Sequence, residues 1–234
     1  MTRTGEARPG LVIFDCDGTL VDSQEVIVAA MAMAFEAEGL SGVPRAEVLA
    51  IIGLSLDEAF SRLTDGAGAA AVGRLTERYR QAFYTLRQRP DHHEPLYHGA
   101  KSAIEHLADV PHVLLGIATG KSRRGVRALL EREGLTGHFT TIQTADTSPS
   151  KPHPDMILRA IAETGAAPED TVMIGDTTYD IEMARNAGVR ALAVAWGYHA
   201  GHALMASGAD MMFDDFSELL AELTRQFMPG GAAA

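Results

Sequence analysis

The chain of 234 residues has one cysteine, Cys16, one tryptophan and only three lysines, Lys101, Lys121 and Lys151, against seventeen arginines. A single cysteine excludes an intrachain disulfide and with it the stapled secreted scaffold, so a reducing, cytoplasmic setting is expected. No apolar run approaches the ~20 residues that a membrane span needs, and the opening MTRTGEARPG lacks the apolar stretch of a signal peptide. Membrane insertion and secretion are therefore not expected. There is no run of Lys and Arg, and 20 basic against 31 acidic residues leave a formal net charge of −11, which argues against nucleic acid as a partner. What is plentiful is apolar: 46% of the residues are hydrophobic. A chain of this length buries about 70% of its extended surface on folding, enough for a core without staples.

The strongest local signal is Leu11-Val12-Ile13-Phe14-Asp15, a continuous apolar run ending in Asp-Cys-Asp-Gly-Thr. It reads as a strand buried on both faces, as in a parallel sheet. Residues 113–119, 139–143, 171–176 and 190–195 repeat the pattern, and helical spacing occupies residues 100–109, 123–133, 154–164 and 179–187 between them. Alternation of this kind predicts right-handed βαβ units in a doubly wound, mostly parallel α/β sheet. Residues 21–95 break the rhythm. They are rich in Ala, Glu and Arg, contain no convincing buried strand, and predict an inserted helical cap, divided by the turn-forming stretches at residues 38–44 and 65–68. The expected division is therefore an α/β core of residues 1–20 and 96–234 with a cap of residues 21–95. Arg89-Pro90-Asp91-His92-His93-Glu94-Pro95 reads as the linker, and the tail from Met228 as frayed.

In open α/β sheets ligands bind at the carboxyl ends of the strands, and these strand ends carry phosphate chemistry. In extended backbone Asp15 and Asp17 face one side while Cys16 points away, and Gly18 lets the chain turn and free N–H groups for an anion. Thr119-Gly120-Lys121-Ser122 offers a hydroxyl and backbone donors ahead of a helix N-terminus. Lys151 is flanked by the prolines of Lys151-Pro152-His153-Pro154, and Asp176 ends a strand with Asp180 one turn later. So many carboxylates at one point are costly without a cation, and oxygen donors favour Mg²⁺.

Asp15-Cys16-Asp17-Gly18-Thr19-Leu20-Val21-Asp22-Ser23, Thr119, Lys151 and Gly175-Asp176-Thr177-Thr178-Tyr179-Asp180 together resemble the four ordered motifs of the haloacid dehalogenase superfamily, in its phosphoglycolate phosphatase-like branch. The resemblance spans residues 11–225 or so. It implies that Asp15 is the nucleophile, forming an aspartyl-phosphate, and that Asp17 is the general acid and base. It implies that Gly18, Thr119, Gly120 and Lys151 hold the phosphoryl group, with Lys151 also neutralising Asp15. Asp15, the main-chain carbonyl of Asp17, and Asp176 would ligate Mg²⁺, supported by Asp180. The implied reaction is hydrolysis of a small phosphorylated metabolite, phosphoglycolate or a sugar phosphate, by a monomer or homodimer.

Other readings compete. A β-phosphoglucomutase-like enzyme keeps both aspartates, and pyrophosphate is a further candidate substrate. A dehalogenase normally lacks the second aspartate, and a phosphonate-cleaving relative needs a cap lysine, whereas residues 21–95 contain none. A non-enzymatic receiver-like module also combines a phosphorylated Asp with Thr and Lys, but it needs about half this length, and Asp17 suits hydrolysis rather than a lasting signal. His92, His93 and His98 match no common structural zinc spacing and have no cysteine beside them. Trp196 reads as core edge or as support for the site. Ile52-Gly53-Leu54-Ser55 resembles a substrate-specificity loop, and Arg45, Arg62 and Arg74 are available for a second anionic group.

Overall fold

A computed structural model describes residues 9–89 and 94–227. His92 and His93 of the linker and the tail from Met228 lie outside these residues. At the centre is β1 (Gly10–Phe14), every residue of which is buried. Its apolar side chains alternate between two layers: Val12 and Phe14 pack on one side of the sheet with Ile104, Leu115 and Leu219, while Leu11 and Ile13 pack on the other with Met156, Met173 and Ile181. Burial on both faces is why the run is continuous rather than alternating.

Around β1 stand β2 (Val113–Thr119), β3 (Thr141–Thr144), β4 (Thr171–Gly175), β5 (Arg190–Val194) and β6 (Met211–Phe213). They form one sheet of order β3-β2-β1-β4-β5-β6, and every pairing is parallel. The strand order reverses between β1 and β4, so the loops after these two strands open the crevice where ligands bind in such sheets. The predicted strand at 139–143 is shifted: Phe139 packs in the core ahead of β3 rather than within it. The sheet is wholly parallel, and the edge strand β6 was not anticipated.

The helices covering the sheet are α5 (Ala100–Ala108), α6 (Arg123–Glu133), α7 (Asp155–Thr164), α8 (Thr178–Ala187), α9 (Gly201–Ala206) and α10 (Phe216–Phe227). Gly134, Gly165 and Gly188 end α6, α7 and α8 in left-handed conformation, as helix C-termini commonly do. Between β1 and α5 come α1 (Gln24–Ala37), α2 (Arg45–Leu49), α3 (Leu56–Leu63) and α4 (Ala69–Arg87). These four helices share a core of their own that includes Met31, Phe35, Phe60 and Tyr79, and the Phe60 and Tyr79 rings meet edge to face at 6.1 Å.

The turn between α2 and α3 is pressed onto the sheet end. A Cβ on Gly120 would lie 2.6 Å from the Leu54 carbonyl oxygen and 2.7 Å from that of Gly53. Gly53 itself has φ +99°, a conformation open to glycine at no cost. The Ser55 N–H donates to Ser150 Oγ at 2.9 Å, and the Tyr179 hydroxyl donates to the Ala50 carbonyl at 2.9 Å.

Candidate active site

The ends of β1 and β4 are built against each other. Gly18, just after β1, has φ +88°, and a Cβ there would sit 2.2 Å from Asp176 Oδ2; Gly197 guards the other flank, where a Cβ would meet Asp176 Cβ at 2.1 Å. Asp176 Oδ1 accepts the Thr19 hydroxyl at 2.7 Å and Oδ2 accepts the Tyr198 N–H at 2.9 Å. Trp196 donates from Nε1 to the Thr19 carbonyl at 3.0 Å and packs on Phe216 at 4.7 Å, so the tryptophan both fills the core edge and fixes Thr19.

Asp180 caps its own helix: Thr177 donates to Asp180 Oδ2 from its backbone at 3.1 Å and its hydroxyl at 2.7 Å, closing a capping box. Its other oxygen accepts Lys151 Nζ at 2.6 Å. Lys151 also lies 2.9 Å from Asp15 Oδ1, although neither Asp15 oxygen takes a well-aligned hydrogen bond among the described residues. The contact is an ion pair rather than a directed bond.

Asp15, Asp176 and Asp180 are completely buried and bring one carboxylate oxygen each within 4.8 Å of the others. Burial, reinforced by Asp180, pushes the Asp15 carboxyl up to about 7 against the pull of Lys151 and the Thr119 hydroxyl. Asp176 is pushed well above the ordinary carboxylate range by burial, then by Asp180 and Asp15. Burial alone would lower Lys151, but Asp15 and Asp180 outweigh it and the ammonium is held more firmly than usual. Three buried carboxylates against one ammonium leave the cluster short of positive charge. Oxygen donors this close fit a divalent cation, and a hard one such as Mg²⁺ best.

Asp17 faces the same cavity as Asp15 but keeps different company. Its Oδ1 accepts the Ser23 hydroxyl at 2.6 Å and Lys121 Nζ at 2.6 Å. Lys121 also lies 3.7 Å from Glu94 Oε1, and Glu94 in turn pairs with Arg87 at 3.3 Å and Arg132 at 3.5 Å. Lys121 was not among the residues assigned a role from sequence; its only signal there was the scarcity of lysine. The Tyr198 hydroxyl, which accepts the Ser23 N–H at 3.1 Å, gave no signal at all.

Cys16 is buried in the core beside Phe14 and Leu20, and burial pushes its thiol up, leaving it unreactive. Thr119, buried, and Gly120 line the cavity with Asp15, whereas Ser122 is the N-cap of α6, accepting the Gly125 N–H at 3.2 Å. Arg45, Arg62 and Arg74 point elsewhere, paired with Glu25, Glu58 and Glu38. The arginines that do line the cavity are Arg80, Arg87 and Arg124. His98 is exposed.

A family model described as haloacid dehalogenase-like hydrolase matches residues 12–194. The chain belongs to the haloacid dehalogenase-like hydrolases. It is 36% identical over 213 residues to "Probable phosphatase IndB" of Dickeya dadantii, covering 90% of this chain and 91% of that one. It is 32% identical over 216 residues to the pyrophosphatase PpaX of Bacillus cereus, covering 91% and 95%. Among solved structures, a hydrolase from Pseudomonas syringae superposes with a TM-score of 0.81 at 28% identity, over 92% of this chain and 98% of that one. The acidic cluster thus sits at the end of a hydrolase sheet, and no helix of the described residues is long and apolar enough to cross a membrane.

Proposed function

We propose that this hydrolase is a Mg²⁺-dependent phosphatase that cleaves a small phosphorylated metabolite through an aspartyl-phosphate on Asp15. The observation that carries the reading is the position of Asp15, fully buried between Lys151 and the Asp176–Asp180 pair yet lining the cavity that Asp17 shares. We assign residues 1–20 and 96–234 to the catalytic core and residues 21–95 to a cap, because α1–α4 have their own apolar core.

Asp15 attacks phosphorus, and the bond from phosphorus to the leaving oxygen breaks as Asp17 delivers a proton to that oxygen. Asp17, now a carboxylate, takes a proton from a water that attacks the acyl phosphate, releasing inorganic phosphate and restoring Asp15. Thr119 and the Gly120 N–H hold phosphoryl oxygens, and Lys151 offsets the charge they share with Asp15; the Gly18 N–H, expected from the sequence to join them, is donated to the Val21 carbonyl at 2.9 Å, so Gly18 serves instead by leaving room for Asp176. Asp15, the carbonyl of Asp17, and Asp176 would hold Mg²⁺, while Asp180, which accepts the Lys151 ammonium at 2.6 Å, supports them by fixing Lys151. The bound ion supplies Lewis-acid polarisation of the phosphoryl oxygens and offsets the carboxylate charge.

The likeness to PpaX makes pyrophosphate a second candidate substrate, and mutase activity remains the rival use of the same two aspartates. The test is phosphate release, with Mg²⁺ and with chelator, from phosphoglycolate, several sugar phosphates, pyrophosphate and β-glucose 1-phosphate, the last also assayed for the 6-phosphate. Release that depends on Mg²⁺ is expected. Isomerisation without release would hand the case to the mutase, and turnover of nothing would overturn the phosphatase reading.

A further inference from the structure

The cavity above Asp15 encloses about 470 Å³, within the range of sites that take ligands larger than glycolate or phosphate alone. Its floor is polar, with Asp15, Asp17 and Thr119, and one part of its wall is apolar. Ile27 and Met31 of α1, Ile51 and Leu54 of the docking turn, and Tyr79 and Phe83 of α4 line it. The Tyr79 and Phe83 rings stand 5.7 Å apart and tilted by 31°.

The polar groups beside this wall are largely spoken for. Asp57 accepts the Thr76 hydroxyl at 2.8 Å and Ser55 caps α3. Lys121 is committed to Asp17 and Glu94 and Arg87 to Glu94, while Arg80 and Arg124 are exposed. The Tyr79 hydroxyl makes no hydrogen bond among the described residues. Burial, with Asp17 and Glu94 nearby, holds that phenol protonated, so it can donate one bond to an oxygen or nitrogen of a ligand.

We propose that the substrate is a phosphomonoester whose leaving group presents an apolar, ring-sized face to Ile27, Met31, Leu54 and Phe83, rather than phosphoglycolate, pyrophosphate or a bare sugar phosphate. This rests on the phosphatase reading of the Asp15 site. A carboxylate, a second phosphate or a face of sugar hydroxyls laid on these apolar side chains would lose water with only the solvent-exposed Arg80 and Arg124, among the described residues, as uncommitted cations of the cavity, whereas an apolar face gains in proportion to the area it buries.

The test compares ethyl, butyl and 2-phenylethyl phosphates with phosphoglycolate, glucose 6-phosphate and pyrophosphate, in Mg²⁺. The organic esters all leave as primary alkoxides, which limits differences in intrinsic reactivity. The expected result is a rise in kcat/KM of at least about tenfold from the ethyl to the 2-phenylethyl ester. In Phe83→Asn the ratio between these two esters should fall by about fivefold or more. A higher kcat/KM for phosphoglycolate, glucose 6-phosphate or pyrophosphate than for the 2-phenylethyl ester would overturn the inference and leave the phosphatase reading standing. Absence of Mg²⁺-dependent release from every compound would end both. An unchanged ester ratio in Phe83→Asn protein with the wild-type melting temperature would also overturn it, and the wild-type series decides by itself should that variant fail to fold.

Discussion

Lys121 Nζ and the Ser23 hydroxyl converge on one oxygen of Asp17, each at 2.6 Å. The lysine comes from the loop after β2, the serine from just ahead of α1, so Asp17, the general acid we propose, is held from both sides of the junction between the sheet and the inserted helices. Burial alone would lower Lys121, but Asp17 and Glu94 outweigh it and keep it charged. Lys121→Met would leave two buried carboxylates without this cation. The expected cost is about 3 kcal/mol, read as a melting temperature lower by roughly 6–12 °C, with kcat falling as Asp17 loses its anchor. Lys121→Arg should not restore either, because the planar guanidinium does not fit a site shaped for a point charge; calorimetry and steady-state kinetics on both variants check this.

The two aspartates after β1 should fail differently. Asp15→Asn removes the proposed nucleophile and turnover should drop to background, while the variant keeps its far-ultraviolet circular dichroism and melts no lower than the wild type, since an uncharged amide relieves a crowded acidic cluster. Asp17→Asn retains the nucleophile and should bind substrate while kcat falls by about 10²- to 10⁴-fold. Substantial activity in Asp15→Asn protein would sink the covalent mechanism.

The docking turn depends on the missing side chain of Gly120. In Gly120→Ala the new methyl would meet the carbonyl oxygens of Leu54 and Gly53 at 2.6 and 2.7 Å, and neither is a flexible chain end that can swing aside. The turn must lift, and KM should rise with amide exchange over residues 51–55 accelerated. Unaltered exchange and unaltered KM would show that the turn tolerates displacement.

The buried acidic cluster was legible because its members follow apolar runs directly, Asp15 after Phe14 and Asp176 after Gly175. Strands β1, β2, β4 and β5 follow because burial on both faces leaves a largely apolar signature, whereas β3, Thr141-Ile142-Gln143-Thr144, has a single apolar residue, and the apolar Phe139 drew its expected start forward. Three-residue β6 carries too few positions to show such a signature, and it gains definition only by pairing with β5. The Asp17–Lys121–Glu94–Arg132 chain was hidden because it is made by folding, joining positions as much as 115 residues apart (132 − 17). Arg45 and Arg74 illustrate the converse: a sequence shows a cation, but the neighbouring Glu25 and Glu38 that occupy it are revealed only by packing.

Thr19 should influence metal affinity without touching the reaction. Its hydroxyl donates to Asp176 Oδ1 at 2.7 Å, and its carbonyl is held by Trp196. Thr19→Val keeps the shape and removes the bond, so Asp176 is no longer oriented. The Mg²⁺ concentration for half-maximal activity should rise by about 10- to 100-fold, with kcat at saturating Mg²⁺ changed much less. A Mg²⁺ titration followed by both activity and melting temperature checks it; equal loss of kcat at every Mg²⁺ concentration would count against this role.

Chelation and pH should act on the same carboxylates. In chelator the folded protein holds Asp15 at about 7, up from 3.8, chiefly through burial, and Asp176 is raised in the same direction. Between these values the folded chain keeps a proton that the unfolded chain releases. The stability Asp15 contributes is therefore complete below about pH 4 and is lost as pH rises through about 7. A divalent cation reverses the preference, because it binds the ionised carboxylates and supplies the charge that Lys151 alone does not. The gain in melting temperature on replacing chelator with Mg²⁺ should thus be larger at pH 8 than at pH 5.5, and Asp15→Asn should shrink the difference between the two. The same gain at both pH values in the wild type would mean either that these carboxylates are already ionised at pH 5.5 without the ion or that the acidic cluster is not what binds it, and an unchanged gain in Asp15→Asn would single out the second.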